Sequence, residues 1–213
     1  MTDQDILEKE GVEVIAADKH TAASGIMFQS LIDLNRNDGV KHIRIDNRGK
    51  TQLGRMLDSQ YMSPFEIPGL GTFNSTEGLW YYISMKRPPE DFRVLRGNLC
   101  RKLIRELKDR NEHHRVERRN FYEIIEYGTY VKIMQNEDLK QRFIENELPM
   151  LRFFMRSRNG QNSLMIESTS RAVVFLNDLC QRLKEDINYA PPLPDVSDIV
   201  KDLPDEVRQL YHI

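Results

Sequence analysis

The chain has 213 residues, 39% hydrophobic and 30% charged, enough for one decorated domain with a real core and a cleft. Its 31 basic and 33 acidic residues leave a net charge of −2, so any contact with nucleic acid has to come from a local patch. No apolar run approaches the ~18 residues of a membrane span. The start MTDQDILEKEG has no apolar core of a secretory signal, and Cys100 and Cys180 lack metal-ligand or redox spacing. These features argue against a membrane partner and for a soluble, cytoplasmic protein with two reduced, buried thiols.

In chain order, Val12–Ala16 reads as a short strand after a polar start. From Thr21 to Leu34 the apolar positions Ile26, Met27, Leu31 and Ile32 predict a helix, which Asn35–Gly39 ends with turn chemistry. His42–Asp46 alternates as a second short strand, and Gly49 and Gly54 bracket a polar stretch around Lys50. Pro64, Pro68, Gly69 and Gly71 exclude a helix and predict a shaped loop or small hairpin over residues 61–74. Asn74 or Ser75 can cap the next helix, which runs to about Lys86 and stops at Pro88 and Pro89. Further helices are expected over Asn98–Arg110, with Leu99, Leu103, Ile104 and Leu107 on one face, over Val116–Met134, over Leu139–Asn146, and from Ser168 through Leu183. Ala190–Pro194 is a stiff spacer, and Val196–Ile213 holds one or two short amphipathic helices. The expected fold is mainly α with a few short strands near the front (α+β). One domain is expected over 1–188, with a Pro-rich spacer and helical tail over 189–213.

The most informative stretch, Leu53–Gly97, reads LGRMLDSQYMSPFEIPGLGTFNSTEGLWYYISMKRPPEDFRVLRG. It holds Ser63-Pro64-Phe65, then Phe73, Ser75, Thr76, Glu77, Gly78, Trp80 and Tyr81, then Arg93, Leu95 and Gly97. Downstream come Val131-Lys132, Gln135-Asn136, Leu139 and Phe143. This set resembles the signature of the NADAR (YbiA-like) family. There, a Ser/Thr-Pro-Phe turn precedes a Phe-x-Ser-Val-Glu segment with an aromatic run, an Arg-x-Leu-x-Gly element and a Lys–Gln–Asn–Leu helix. The resemblance covers about Ile43 to Leu148. Asp58-Ser59-Gln60 stands where the family has Ser-Asn-Phe, and Asn159–Leu164 only echoes its closing Asn-x-Leu-Gly element. Glu-Gly-x-Trp-Tyr is similar to the branch acting on ADP-ribosylated guanine rather than to the Glu-His-x-Tyr branch. The resemblance implies a YbiA-like helical fold and a phage-type glycohydrolase that removes ADP-ribose from guanine in DNA, with no metal or cofactor. Its implied partners are ADP-ribosylated DNA and a DNA ADP-ribosyltransferase toxin that it counters in the host cytoplasm.

The residues themselves leave alternatives open. Cleavage of an N-glycosidic bond passes through an oxocarbenium-like state that a carboxylate can stabilise. Glu77, in the first turn of a helix after a rigid loop, is well placed for that role, and a helix dipole favours a carboxylate there. It equally fits a capping box with Asn74. The guanine-acting branch also implies a lysine that forms a Schiff base with the opened ribose. Lys50 is the first choice, and Lys86 and Lys132 are its rivals.

Trp80, Tyr81 and Tyr82 point about 100° apart on a helix, so one can stack on a base while another fills the core, or all three can pack. Ser63, Phe65 and Phe73 belong to the expected substrate face. Arg93, with Arg96, can clamp a diphosphate at the helix start. From Arg93 to Arg119 ten basic residues face four acids, a local excess of six. Arg101, Lys102, Arg105 and Lys108 in this run are either a DNA track or an ordinary solvated face. His113-His114 has the wrong spacing for two ligands on one helix face. Two further functions stay open: a non-catalytic binder of the toxin or of modified DNA, and an N-glycosidase on a free nucleotide-like metabolite, against which the basic run argues.

Overall fold

The longest strands of the computed structural model, which describes residues 12–17, 22–158 and 161–210, are Met150–Arg158 and Gln161–Glu167. They are buried in part: Met150, Phe153, Leu164 and Met165 are buried, whereas Arg152, Met155 and Arg156 are exposed. Strands were expected only near the front, so this hairpin is a correction. Its sequence signal is Asn159-Gly160 between two apolar runs, the dipeptide that favours a tight hairpin turn. Those two residues lie outside the described ones.

The chain divides into two compact units: residues 1–58 with 142–187, and residues 59–141 with 188–213. In the first unit β1 (Val12–Ala17), α1 (Ala22–Asn37), β2 (Ile43–Arg44) and α2 (Gln52–Leu57) come first. The hairpin strands β5 (Met150–Arg158) and β6 (Gln161–Glu167) then follow, with α7 (Arg171–Glu185) after them. The sheet order is β1-β6-β5-β2, antiparallel except for the β2–β5 pair. Met27, Phe153 and Leu164 form its core. Asn177 of α7 clamps Met150, accepting from its N–H at 2.8 Å and donating to its carbonyl at 3.2 Å. Helix α2 starts inside the polar stretch between Gly49 and Gly54; Thr51 caps it by accepting from the Gly54 N–H at 3.1 Å.

In the second unit, β3 (Phe65–Ile67) and β4 (Gly71–Phe73) form the small antiparallel hairpin that the Pro/Gly loop predicts. Next come α3 (Thr76–Ile83), a single 3₁₀ turn (Glu90–Arg93), α4 (Asn98–Asp109) and α5 (Phe121–Gln135). The boundary between the units falls within α6 (Glu137–Ile144). The tail adds α8 (Ser197–Val200) and α9 (Asp205–Leu210), and Ile199 and Leu203 enter the same buried cluster as Phe65, Leu79, Tyr82 and Val131.

Helix α5 begins at Phe121, not at Val116 as its periodicity suggests. The segment before it is drawn into other hydrogen bonds. The Val116 N–H donates to the Ser84 carbonyl at 3.0 Å, and the Lys86 N–H to His114 at 3.0 Å. The Arg118 guanidinium binds the carbonyls of Ile83, Met85 and Asp198 and pairs with Asp202 at 3.0 Å. Among the described residues no helix is long and apolar enough to cross a membrane.

Candidate functional site

Helix α3 starts because Ser75 holds an extended conformation and its Oγ accepts from the Gly78 N–H at 3.0 Å. Ser75, not Asn74, is therefore the cap, and Glu77 is the second helical residue. That position is one short of the third, which a capping box requires, so the Glu77 side chain turns elsewhere. One carboxylate oxygen, Oε2, accepts from the Gly97 N–H at the start of α4. The other, Oε1, lies 3.5 Å from Arg101, whose side chain is half exposed. Gly97 adopts φ 55°, a left-handed conformation that favours glycine, and it aims its N–H across at Glu77. Gly78 is equally constrained, since a Cβ there would stand 2.1 Å from the Phe92 carbonyl.

Several residues of the stretches that carry the family resemblance, from Ser63 to Asn136, interlock within this unit. The Ser63 N–H donates to the Asn74 carbonyl at 3.0 Å, and the Asn74 N–H to the Arg93 carbonyl at 2.7 Å. Asn136 donates to the Ser63 hydroxyl at 2.9 Å, and Gln135 bonds both backbone groups of Glu66. Phe65 and Phe73 stack at 6.2 Å, and Phe73 meets Tyr82 edge-on at 5.3 Å. Ser63, Phe65 and Phe73 are buried side chains, which here build the frame rather than a surface for substrate.

Arg93 is also buried, at 3% exposure. Its guanidinium lies over the Phe73 and Tyr82 rings, binds Glu90 and the Leu70 carbonyl, and donates to the Tyr82 hydroxyl at 2.7 Å. A side chain so engaged holds the loop to the 3₁₀ turn instead of reaching a diphosphate. Tyr82, missed as a site residue, links the two: its hydroxyl donates to Glu90 at 2.8 Å, and burial raises its pKa. The Glu90–Arg93 spacing of three was the available signal.

The aromatic run divides as helical geometry requires. Trp80 packs edge-on against Phe121 at 4.6 Å, Tyr81 stacks on Phe92 at 5.6 Å, and Tyr82 fills the core. Tyr81 feels the carboxylate: burial and then the Glu77 charge raise its pKa. Burial, with the same charge, pushes the Cys100 thiol up to about 12, which makes it an inert core group. Cys100 and Cys180 are both free and buried.

The three lysines have different surroundings. Lys50 belongs to the first unit, where its exposed ammonium donates to the Arg36 carbonyl at 3.3 Å. Lys86 is exposed beyond the end of α3. Lys132, in α5 of the same unit as Glu77, is 2% exposed, with its ammonium 5.6 Å from the centre of the Tyr61 ring.

Arg93 and Arg118 leave the basic run, because both are buried and engaged. Eight basic residues from Arg96 to Arg119 stay exposed, against the four exposed acids. On α4, Arg101, Arg105 and Lys108 fall at helical spacing on one exposed stripe, with Lys102 beside it in an ion pair with Glu106 at 3.7 Å. Replacing Arg105 and Lys108 by Ala is expected to make the salt dependence of binding to duplex DNA shallower by roughly 2 logarithmic units. An unchanged slope in a salt titration would return this stripe to plain solvation. Comparison with protein-family models, with curated proteins and with solved structures finds no match to this chain.

Proposed function

We propose that the chain is a glycohydrolase of the NADAR type that removes ADP-ribose from guanine in DNA, acting against a DNA ADP-ribosylating toxin. One observation carries the reading: Ser63, Phe65, Phe73, Asn74, Arg93 and Asn136, scattered along the stretches that bear the resemblance, contact one another in a single unit. Glu77 stands at the edge of that network, next to the basic stripe of α4.

The chemistry follows from the two ends of the carboxylate. Oε2 is fixed by the Gly97 N–H, which orients the group. Oε1 faces Arg101, a half-exposed partner that can swing onto a phosphate of the substrate. That movement frees a preoriented negative oxygen for the oxocarbenium-like ribose, or for the water that attacks it.

In the Schiff-base route a lysine amine adds to the anomeric carbon, the guanine amine leaves with a proton as the ribose ring opens to the lysine imine, and water then hydrolyses the imine to release ADP-ribose and restore the amine. Lys132 is the lysine proposed for it, because it is desolvated and shares the unit of Glu77. Borohydride added during turnover is expected to reduce the imine and leave a stable mass increase on the Lys132 peptide. A label on Lys50 or Lys86 would move the role, and an unlabelled chain would remove the route.

The contacts of Glu77 also favour a second reading, a non-catalytic binder of modified DNA or of the toxin. In that case the carboxylate only ties α3 to α4. A glycohydrolase assay on an ADP-ribosylated guanine oligonucleotide decides between the two. Free ADP-ribose compounds as controls test the metabolite alternative.

A further inference from the structure

A cavity of about 450 Å³ opens on the second unit, lined by residues that take no part in the proposed chemistry. Tyr127, Tyr130, Val131 and Met134 of α5 form one wall, and Glu66 and Pro68 of the hairpin form the other. The volume lies within the range of small-molecule sites. The rings of Tyr127 and Tyr130 stand 5.9 Å apart and are tilted by 50°. Two rings at that angle cannot both lie flat on one planar base. They make a corner, which suits a rounded group.

The charge of the corner is one-sided. None of its lining residues is positive, and Glu66 is negative. Gln135 anchors the base of that carboxylate: its Oε1 accepts from the Glu66 N–H at 2.8 Å, and its Nε2 donates to the Glu66 carbonyl at 3.3 Å. Burial, helped by Tyr127 and Tyr189, raises the pKa of Tyr130, so its ring stays neutral. A phosphate would meet no cation here, and a purely apolar ligand would strip water from Glu66 without replacing it. An ammonium satisfies both walls, because aromatic faces attract cations and the carboxylate supplies the countercharge.

We infer that this corner binds an organic cation, a quaternary or methylated ammonium group, held between the Tyr127 and Tyr130 rings and Glu66. The inference stands apart from the glycohydrolase reading and survives its failure. Choline is the probe, titrated onto the full chain at constant ionic strength and followed by saturation transfer to its methyl protons. Saturable binding is expected, weakened about threefold by Glu66→Gln and about fivefold by Tyr127→Leu or Tyr130→Leu. Guanosine and inorganic phosphate are expected not to compete. The Glu66 side chain is exposed, so Glu66→Gln keeps the fold and carries the test even if a tyrosine variant unfolds. No saturable signal, binding that Glu66→Gln leaves unchanged, or displacement by guanosine at equal concentration would each overturn the assignment.

Discussion

Glu77→Gln is expected to slow release of ADP-ribose from a modified guanine oligonucleotide by roughly 10³-fold, within the range of general acid–base contributions. The substitution is chosen for what it retains. A glutamine oxygen can still accept from the Gly97 N–H, so the tie between α3 and α4 persists. What disappears is the negative charge and with it the pair to Arg101. That pair has one half-exposed partner and is worth less than about 1 kcal/mol. The thermal midpoint should therefore barely move while turnover collapses. Turnover that survives the change would remove Glu77 from the chemistry and leave the binder. Activity lost together with the fold would reveal a structural role, which circular dichroism on the same sample detects.

Replacing Arg93 by Met is expected to lower unfolding stability by about 2 kcal/mol, the scale for leaving buried acceptors without their donor, since Glu90 is partly exposed. The aliphatic side chain fills part of the volume over Phe73 and Tyr82. It leaves the Leu70 carbonyl and the Tyr82 hydroxyl without their donor, and Glu90 without its cation. The urea midpoint should fall with little change in the slope of the transition, since the same surface is exposed on unfolding. A variant with the midpoint of the parent chain would mean that the guanidinium is dispensable to the frame. The diphosphate clamp expected from the sequence would then regain its claim on this residue. The same measurement on Arg105→Ala, an exposed position, is the reference for a harmless loss of charge.

Local chemistry in the sequence determined the helix of Trp80, its start after a Pro/Gly hairpin, the basic helix after Gly97 and the mainly helical character with added strands. These features are legible because caps, turns and the 3.6 period act within a few residues. The hairpin of Met150–Glu167 was legible in principle, through Asn159-Gly160 between two apolar runs.

Tertiary structure decided the rest. Segment 116–120 leaves its helical period because the Ser84, Ile83 and Met85 carbonyls need donors, and Val116 and Arg118 supply them. Arg93 and Arg101 look alike in the sequence, yet one is sealed over two aromatic rings and the other turns toward Glu77 and solvent. Lys50, Lys86 and Lys132 are equally basic letters, and burial sets the last apart from the other two. Side-chain role depends on which distant backbone groups go unpaired and which surfaces lose water, and neither is a property of neighbours along the chain.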